Sequence, residues 1–256
     1  MAVLDQFRLD GQVAVVTGGS KGLGRAMAQG FAEAGATVVL CSRHGAEAEA
    51  VAAEIGQASG RASLGVAADV TDPMAVDGLV QVVRSRFGRV DVWVNSAGIN
   101  IRHPIEEFPV AEFDRIVGVN LRGTWLCCRA VAPVMKEQGY GSVVNVASVL
   151  GAIGLRERSA YCASKAGVIG LTRTLALEWA GHGVRCNALC PGPFLTEINA
   201  ALMTDPAKAR AVVGQTAFQR WAELPEIQGP ALFLASAASS YMTGAVLLVD
   251  GGWAAA

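Results

Sequence analysis

Short runs of β-branched and aliphatic residues alternate along the chain with longer stretches whose apolar positions recur every three or four residues. The short runs predict strands at 13–17, 37–41, 62–67, 90–95, 142–147, 184–189 and 245–249, and the longer ones helices at 23–34, 46–59, 74–87, 112–137, 160–180 and 225–235. The strand runs are almost wholly apolar rather than alternating, as expected where helices cover both faces of a parallel sheet. Repeated strand–helix–strand units of this length predict an α/β fold of the Rossmann type, a doubly wound, seven-stranded parallel sheet with helices on both faces. Nothing rich in proline or serine divides the chain, so residues 1–256 read as one domain. The stretch 191–224 shows no clear strand and follows the sixth one, where ligands of such sheets bind, so it is expected to act as a substrate lid.

Composition narrows the classes. Hydrophobic residues make up 52% and charged ones 17%, ample for a buried core, and the net charge of −1 comes from scattered residues with no basic stripe for nucleic acid. No apolar run is long enough to span a membrane, and Asp5, Arg8 and Asp10 interrupt the start where a signal peptide needs an apolar run, so the expected location is cytoplasmic. Six cysteines without a C-x-x-C, and three histidines without H-E-x-x-H, predict reduced thiols and no metal site.

Candidate chemistry begins where the first strand ends, in Thr17-Gly18-Gly19-Ser20-Lys21-Gly22-Leu23-Gly24. Glycines here let the backbone turn tightly against a pyrophosphate, and the helix that follows aims free N–H groups and its positive dipole end at the anion. The spacing is not G-x-G-x-x-G, so the turn alone is weak evidence and a ligand-free βα turn remains open. At the end of the second strand, where an NAD enzyme usually carries an acidic residue, stand Ser42 and Arg43, with Lys21 in the turn. Two cations there suit a 2′-phosphate, predicting NADP(H) over NAD(H).

Tyr161 and Lys165 lie four apart, on one face of the fifth expected helix. A tyrosine with its ordinary pKa of about 10 is a poor base, and an ammonium beside it, together with an oxidised nicotinamide, is expected to lower that value. Ser148, after the fifth strand, can bond a substrate oxygen, and Asn120 can hold a water linking Lys165 to solvent.

With these residues in order, the whole chain from about residue 10 resembles the short-chain dehydrogenase/reductase family. Thr17, Gly18, Gly22 and Gly24 match its glycine turn, Asp69-Val70 its adenine-pocket motif, and Asn95-Ser96-Ala97-Gly98 its N-N-A-G element, with Ser96 a departure. Asn120, Ser148, Tyr161 and Lys165 match the catalytic tetrad, Pro191-Gly192 with Thr196 the turn beside the nicotinamide, and Val249-Asp250-Gly251-Gly252 the closing motif. The resemblance implies hydride exchange between a nicotinamide and a carbonyl or secondary alcohol, and a homotetramer built through the helices at about 112–137 and 160–180. Trp125, Leu126, Val168, Leu171 and Leu175 suit such an interface and equally a single core.

The segments 97–102 and 219–221, with Gly252-Trp253, resemble the gluconate 5-dehydrogenase-like branch, which implies a polyol, keto-sugar or sugar-acid substrate. The loops 99–103, 149–158 and 193–214 would face it, with Ile101, Leu150, Ile153, Leu155, Phe194 and Met203 among their apolar groups and Arg102, His103, Arg156 and Arg158 among their polar ones. The arginines read mostly as solvated residues. The alternatives are a general ketone reductase, a 3-oxoacyl-carrier-protein reductase, for which Arg122 and Arg129 would dock an acidic carrier, and a non-catalytic dinucleotide-binding regulator.

Overall fold

Seven parallel strands, β1 (Val13–Thr17), β2 (Thr37–Ser42), β3 (Ser63–Ala67), β4 (Val92–Asn95), β5 (Gly141–Val146), β6 (Val184–Pro191) and β7 (Val246–Val249), lie in the order β3-β2-β1-β4-β5-β6-β7. The computed structural model describes residues 2–199 and 204–255. The chain reverses direction across the sheet between β1 and β4, where Thr17 pairs with Cys41 on one side and Asn95 on the other. Such a switch point opens a crevice at the carboxyl ends of the strands. Among the described residues, no helix is long and apolar enough to cross a membrane.

Successive strand residues point to opposite faces, and both faces are dry. Ala14, Val16, Val38, Leu40, Val92 and Val94 pack with Met27 and Phe31 of α1 (Gly22–Glu33), Ile55 of α2 (Gly45–Ser59) and Leu234 of a short C-terminal helix, α8 (Gln228–Ala235). Val13, Val15, Val39 and Trp93 pack on the other side with Val80 of α3 (Pro73–Phe87), Val131 of α5 (Gly123–Gln138) and Leu175 of α6 (Ser159–Trp179). Burying each of the larger side chains stabilises the fold by roughly 1.5–3 kcal/mol. Trimming Phe31 to alanine would cost about 3–5 kcal/mol.

Two segments differ from the sequence expectation. The helix expected over 112–137 is three pieces: α4 (Val110–Val117), a π-helical turn over Gly118–Arg122, and α5. Gly123 follows the wide turn because a Cβ there would come 2.9 Å from Val70 Cγ2. The bulge carries Asn120 inward, a common use of a π turn. The expected lid contains a bridge between Phe194 and Ala222, a 3₁₀ turn at Glu197–Asn199 and a helix, α7 (Pro206–Val213). Asp205 caps α7, accepting from the N–H groups of Ala207 at 3.0 Å and Lys208 at 3.3 Å, with Pro206 at its first position. That cap–proline pair was a readable helix start. Residues 200–203, with the Met203 assigned to the substrate loop, lie outside the described residues.

Candidate active site

The glycine turn is built by close approach. Gly18 and Gly22 hold φ of 64° and 50°, which only glycine adopts without strain. A Cβ on Gly24 would lie 2.3 Å from the Gly18 carbonyl oxygen, and one on Gly18 2.8 Å from Ala97 Cα. The Thr17 hydroxyl accepts from the N–H groups of Ser96 at 3.1 Å and Ala97 at 3.3 Å, so the turn rests on the loop after β4. Helix α1 begins without a side-chain cap, whereas Asp72 and Asp205 cap α3 and α7, so its first N–H groups face the crevice uncovered by a side chain. This bare cradle fits a dinucleotide pyrophosphate.

Ser20, Ser42 and Arg43 do not line the cavity: Ser20 is buried within the glycine turn, and Ser42 and Arg43 follow at the end of β2. Gly19 N–H bonds the Cys41 carbonyl at 3.1 Å, which ties the turn to the end of β2, and the Ser42 hydroxyl donates to the His44 carbonyl at 2.8 Å. Arg43 is exposed and, among the described residues, has no ion-pair partner, while Lys21 is drawn to Glu47 at 3.3 Å. The corner therefore offers one unengaged guanidinium and one shared ammonium, a fit for a 2′-phosphate. Asp69 accepts from the Thr71 N–H and hydroxyl at 2.9 and 2.8 Å, and Val70 is buried against Gly123.

One cavity of about 280 Å³ joins the cradle to the expected catalytic side chains. Gly18, Lys21, Gly22, Leu23, Gly24, Ala97, Gly98, Ser148, Tyr161, Lys165, Pro191, Gly192 and Thr196 all line it. Thr196 closes over the turn, its Cγ2 lying 3.6 Å from where a Gly22 Cβ would be. Asn95 does not line the cavity. Its amide donates to Asn145 Oδ1 at 2.8 Å and its oxygen accepts from the Trp93 indole at 2.8 Å, within the sheet. Asn145 in turn donates to the Thr172 hydroxyl at 2.9 Å. This buried chain fixes α6, which carries the tyrosine, against β4 and β5. Sequence reading missed Asn145 and Thr172, and the signal was a polar residue inside an apolar strand.

The Tyr161 phenol hydrogen-bonds the Ser148 side chain, whose oxygen also accepts from the Leu150 N–H at 3.1 Å. Lys165 Nζ donates to the Val146 carbonyl at 2.7 Å and lies 5.8 Å from the tyrosine ring centre. Burial raises the Tyr161 pKa above its ordinary value, and the bond to Ser148 opposes that shift. The lowering was expected from Lys165 together with an oxidised nicotinamide, and Lys165 alone does not produce it. The reason lies in the lysine itself, which points at Val146 and is pushed by burial down to about 8. The resting tyrosine is thus a phenol, ready to donate.

Asn120 is fully buried and both its amide atoms are committed. The oxygen accepts from the Ile99 N–H at 2.8 Å, and the nitrogen donates to the Ile99 carbonyl at 2.9 Å and the Ser164 hydroxyl at 3.1 Å. The side chain shapes the loop with both of its N–H donors, and its oxygen keeps one lone pair that can accept from the expected water. Arg122 and Arg129 are engaged too: Arg122 donates to the Thr71 carbonyl at 2.9 Å, and Arg129 pairs with Asp77 at 3.4 Å.

A family model described as enoyl-(acyl carrier protein) reductase matches residues 18–254. The chain is 41% identical over 247 residues to the D-threitol dehydrogenase of Mycolicibacterium smegmatis, covering 96% of this chain and 94% of that enzyme. It superposes on a gluconate 5-dehydrogenase from Burkholderia cenocepacia in complex with NADP and tartrate, with a TM-score of 0.96, 36% identity and 100% of both chains covered. A short-chain type dehydrogenase/reductase from Mycobacterium marinum gives a TM-score of 0.94 at 38% identity, covering 98% of this chain and 99% of that one.

Proposed function

Because this chain belongs to the short-chain dehydrogenase/reductase family, in its gluconate 5-dehydrogenase-like branch, we propose that it interconverts the carbonyl and secondary alcohol of a polyol, keto-sugar or sugar acid. The observation that carries the reading is the convergence of Ser148, Tyr161 and Lys165 on one cavity with the glycine cradle. The partner is NADP(H), which supplies or accepts the hydride when bound. Gly18 to Gly24, with Ser20 and Leu23, would hold its pyrophosphate, Ser42, Arg43 and Lys21 its 2′-phosphate, and Asp69 and Val70 its adenine. Residues Asn95 to Gly98, Lys165, Pro191, Gly192 and Thr196 would frame the nicotinamide end, Asn95 acting through the backbone it anchors. NADP in the Burkholderia relative supports this choice, and NAD(H) is the lesser alternative.

In reduction the Tyr161 hydroxyl passes its proton to the substrate oxygen, which Ser148 polarises by a hydrogen bond. In oxidation the same oxygen takes the proton back. Lys165 would bind the nicotinamide ribose and, beside an oxidised nicotinamide, lower the tyrosine pKa, while Asn120 positions the Gly98–Ile99 backbone opposite. Segment 191–224 acts as a lid, a role supported by Phe194, Thr196, Val212 and Trp221 lining the cavity. Arg122 and Arg129 each hold a partner within the chain while staying exposed, so the acyl-carrier alternative is decided by the thioester in the substrate panel below.

We also propose the homotetramer, supported by Trp125 at 47% exposed and Leu177 at 84%. Leu126, Val168 and Leu175 belong instead to the core. Absorbance at 340 nm, followed with NADPH or NADH and a panel of keto-sugars, keto acids, aryl ketones and an acetoacetyl thioester, tests the reading. Tyr161→Phe should lose about 10²–10⁴-fold in turnover while binding NADPH normally. A variant with near-normal rate would sink the assignment.

A further inference from the structure

The corner that would hold the 2′-phosphate includes a carboxylate, Glu47, in the first turn of α2. Lys21, on the cavity wall, donates to it at 3.3 Å, and both side chains are about half exposed. Further along the same two helices, Arg25 of α1 pairs with Glu54 of α2 at 2.6 Å, and neither of these residues lines the cavity. The helices are therefore tied by a short ion pair away from the ligand and by a longer one whose cation faces it. Arg43, just before α2, is exposed and has no ion-pair partner among the described residues.

The helix dipoles explain why the Lys21–Glu47 pair forms and what it opposes. Lys21 is the N-cap of α1, at the positive end of that helix, where a cation is disfavoured unless an anion lies beside it. Glu47 sits at the positive end of α2, where a carboxylate is favoured. Neither helix has a side-chain hydrogen bond capping its start. Two positive helix ends, a guanidinium and an ammonium are thus gathered around that carboxylate. A 2′-phosphate that takes Lys21 must take it from Glu47, and it then has a carboxylate of like charge as a neighbour. A ribose 2′-hydroxyl carries no charge with which to compete, so NAD(H) leaves the ion pair intact.

We propose that Glu47 is a specificity-determining residue of the cofactor site: it competes with the 2′-phosphate for Lys21 and so holds down the preference for NADP(H) over NAD(H) that Arg43 and Lys21 create. The inference rests on the placement of the 2′-phosphate given above. It turns an ordinary surface ion pair into the element that the two cofactors treat differently, since one must break it and the other need not.

The test measures binding without turnover. Calorimetry at a fixed ionic strength, since salt screens exposed pairs, gives the dissociation constants of NADP⁺, NAD⁺, adenosine 2′,5′-bisphosphate and AMP. The proteins are the parent, Glu47→Gln, Lys21→Ala, Arg43→Ala and the double variant carrying Lys21→Ala with Glu47→Gln. Glu47→Gln keeps the shape of the side chain, and its melting temperature checks that the fold is kept. It should bind NADP⁺ and adenosine 2′,5′-bisphosphate at least about threefold more tightly than the parent, with NAD⁺ and AMP within about 1.5-fold. In the Lys21→Ala background the same substitution should change NADP⁺ binding by less than about 1.5-fold, because the cation that the two anions share is gone. No tightening toward NADP⁺, or equal tightening toward both dinucleotides, would overturn the proposal. So would an undiminished gain without Lys21, which would mean general repulsion rather than competition. Arg43→Ala separates the proposal from the placement it rests on. Weaker NADP⁺ binding in Arg43→Ala, with Glu47→Gln silent, removes Glu47 alone. If both are silent, the 2′-phosphate lies elsewhere and the proposal falls with its corner.

Discussion

The carboxamide of Asn120 bonds the backbone of Ile99 twice, accepting from its N–H at 2.8 Å and donating to its carbonyl at 2.9 Å. A side chain thus acts as a short extra strand, paired with a loop that has no strand of its own. Gly98, one residue earlier, is thereby held between Asn120 and Lys165: a Cβ there would sit 3.4 Å from Asn120 Oδ1 and 3.5 Å from Lys165 Nζ.

Asn120→Ala should therefore disturb structure and rate together. It strips the Ile99 N–H and carbonyl and the Ser164 hydroxyl of a buried partner, which costs about 1–3 kcal/mol in denaturant titration. kcat/KM should fall by about tenfold or more because the loop beside Lys165 loosens. A variant as stable as the parent would show that the pairing is not held in solution.

In the proposed 2′-phosphate corner Arg43 should matter more than Lys21, because Lys21 is already shared with Glu47 at 3.3 Å. Arg43→Ala should raise KM for NADPH by at least about tenfold while shifting NADH by less than about twofold. Lys21→Ala should do less. Equal effects of Arg43→Ala on both cofactors in 340 nm kinetics would remove Arg43 from the 2′-phosphate.

Lys165 makes stability depend on pH in a calculable direction. Burial lowers it from the ordinary 10.5 to about 8. Across that window the unfolded chain holds a proton that the folded one lacks, so this group's contribution to stability rises with pH, and below it the full penalty of burying the ammonium is felt. Buried thiols run the other way: Cys41 and Cys128 are pushed up to about 12, so their contribution is lost as pH climbs past the ordinary thiol value. The thiols are common to the parent and Lys165→Met, so their difference in unfolding free energy isolates the lysine. It should grow in the parent's favour between about pH 8 and 10.5, and a flat difference there would contradict the burial of a free ammonium.

Thiol labelling reads the core directly. All six cysteines are free, and Cys162 alone is not buried. An aromatic disulfide reagent at neutral pH should modify Cys162 alone in the native protein and all six after denaturation, with peptide mass spectrometry giving the sites. Prompt modification of Cys127 or Cys128 would mean that α5 opens readily.

The sequence made the regular parts of this molecule legible and the irregular parts only by chemistry. Strand β1 falls on 13–17 as the apolar run predicts, because a strand covered on both faces has no polar position to blur its limits. Residues Gly18, Ser148, Tyr161 and Lys165 converge because each sits at the carboxyl end of a strand or the start of the helix beside one. The π turn at Gly118–Arg122 was invisible, since one wide turn barely shifts a helical pattern of apolar positions. How little Lys165 alone acts on Tyr161 was illegible for a related reason. Spacing says that Lys165 shares its helix face but not that its ammonium turns to Val146. Arg158 reads as a solvated loop residue although it is 6% exposed, because exposure belongs to the folded surface and a loop sequence does not reveal which of its residues is buried.

Thr17 draws its two backbone partners from Ser96 and Ala97, about eighty residues further along the chain. On a ribosome, the glycine turn therefore emerges long before the surface that shapes it. A nascent chain that has reached only β3 has no finished nucleotide pocket, and ligand cannot reward the early steps of folding. Stabilisation by cofactor begins only after β4 has slotted in beside β1, and from then on it acts on the whole sheet at once. The same contact that makes the pocket tight makes it the product of late assembly, so a truncation that spares every glycine but removes β4 abolishes nucleotide binding.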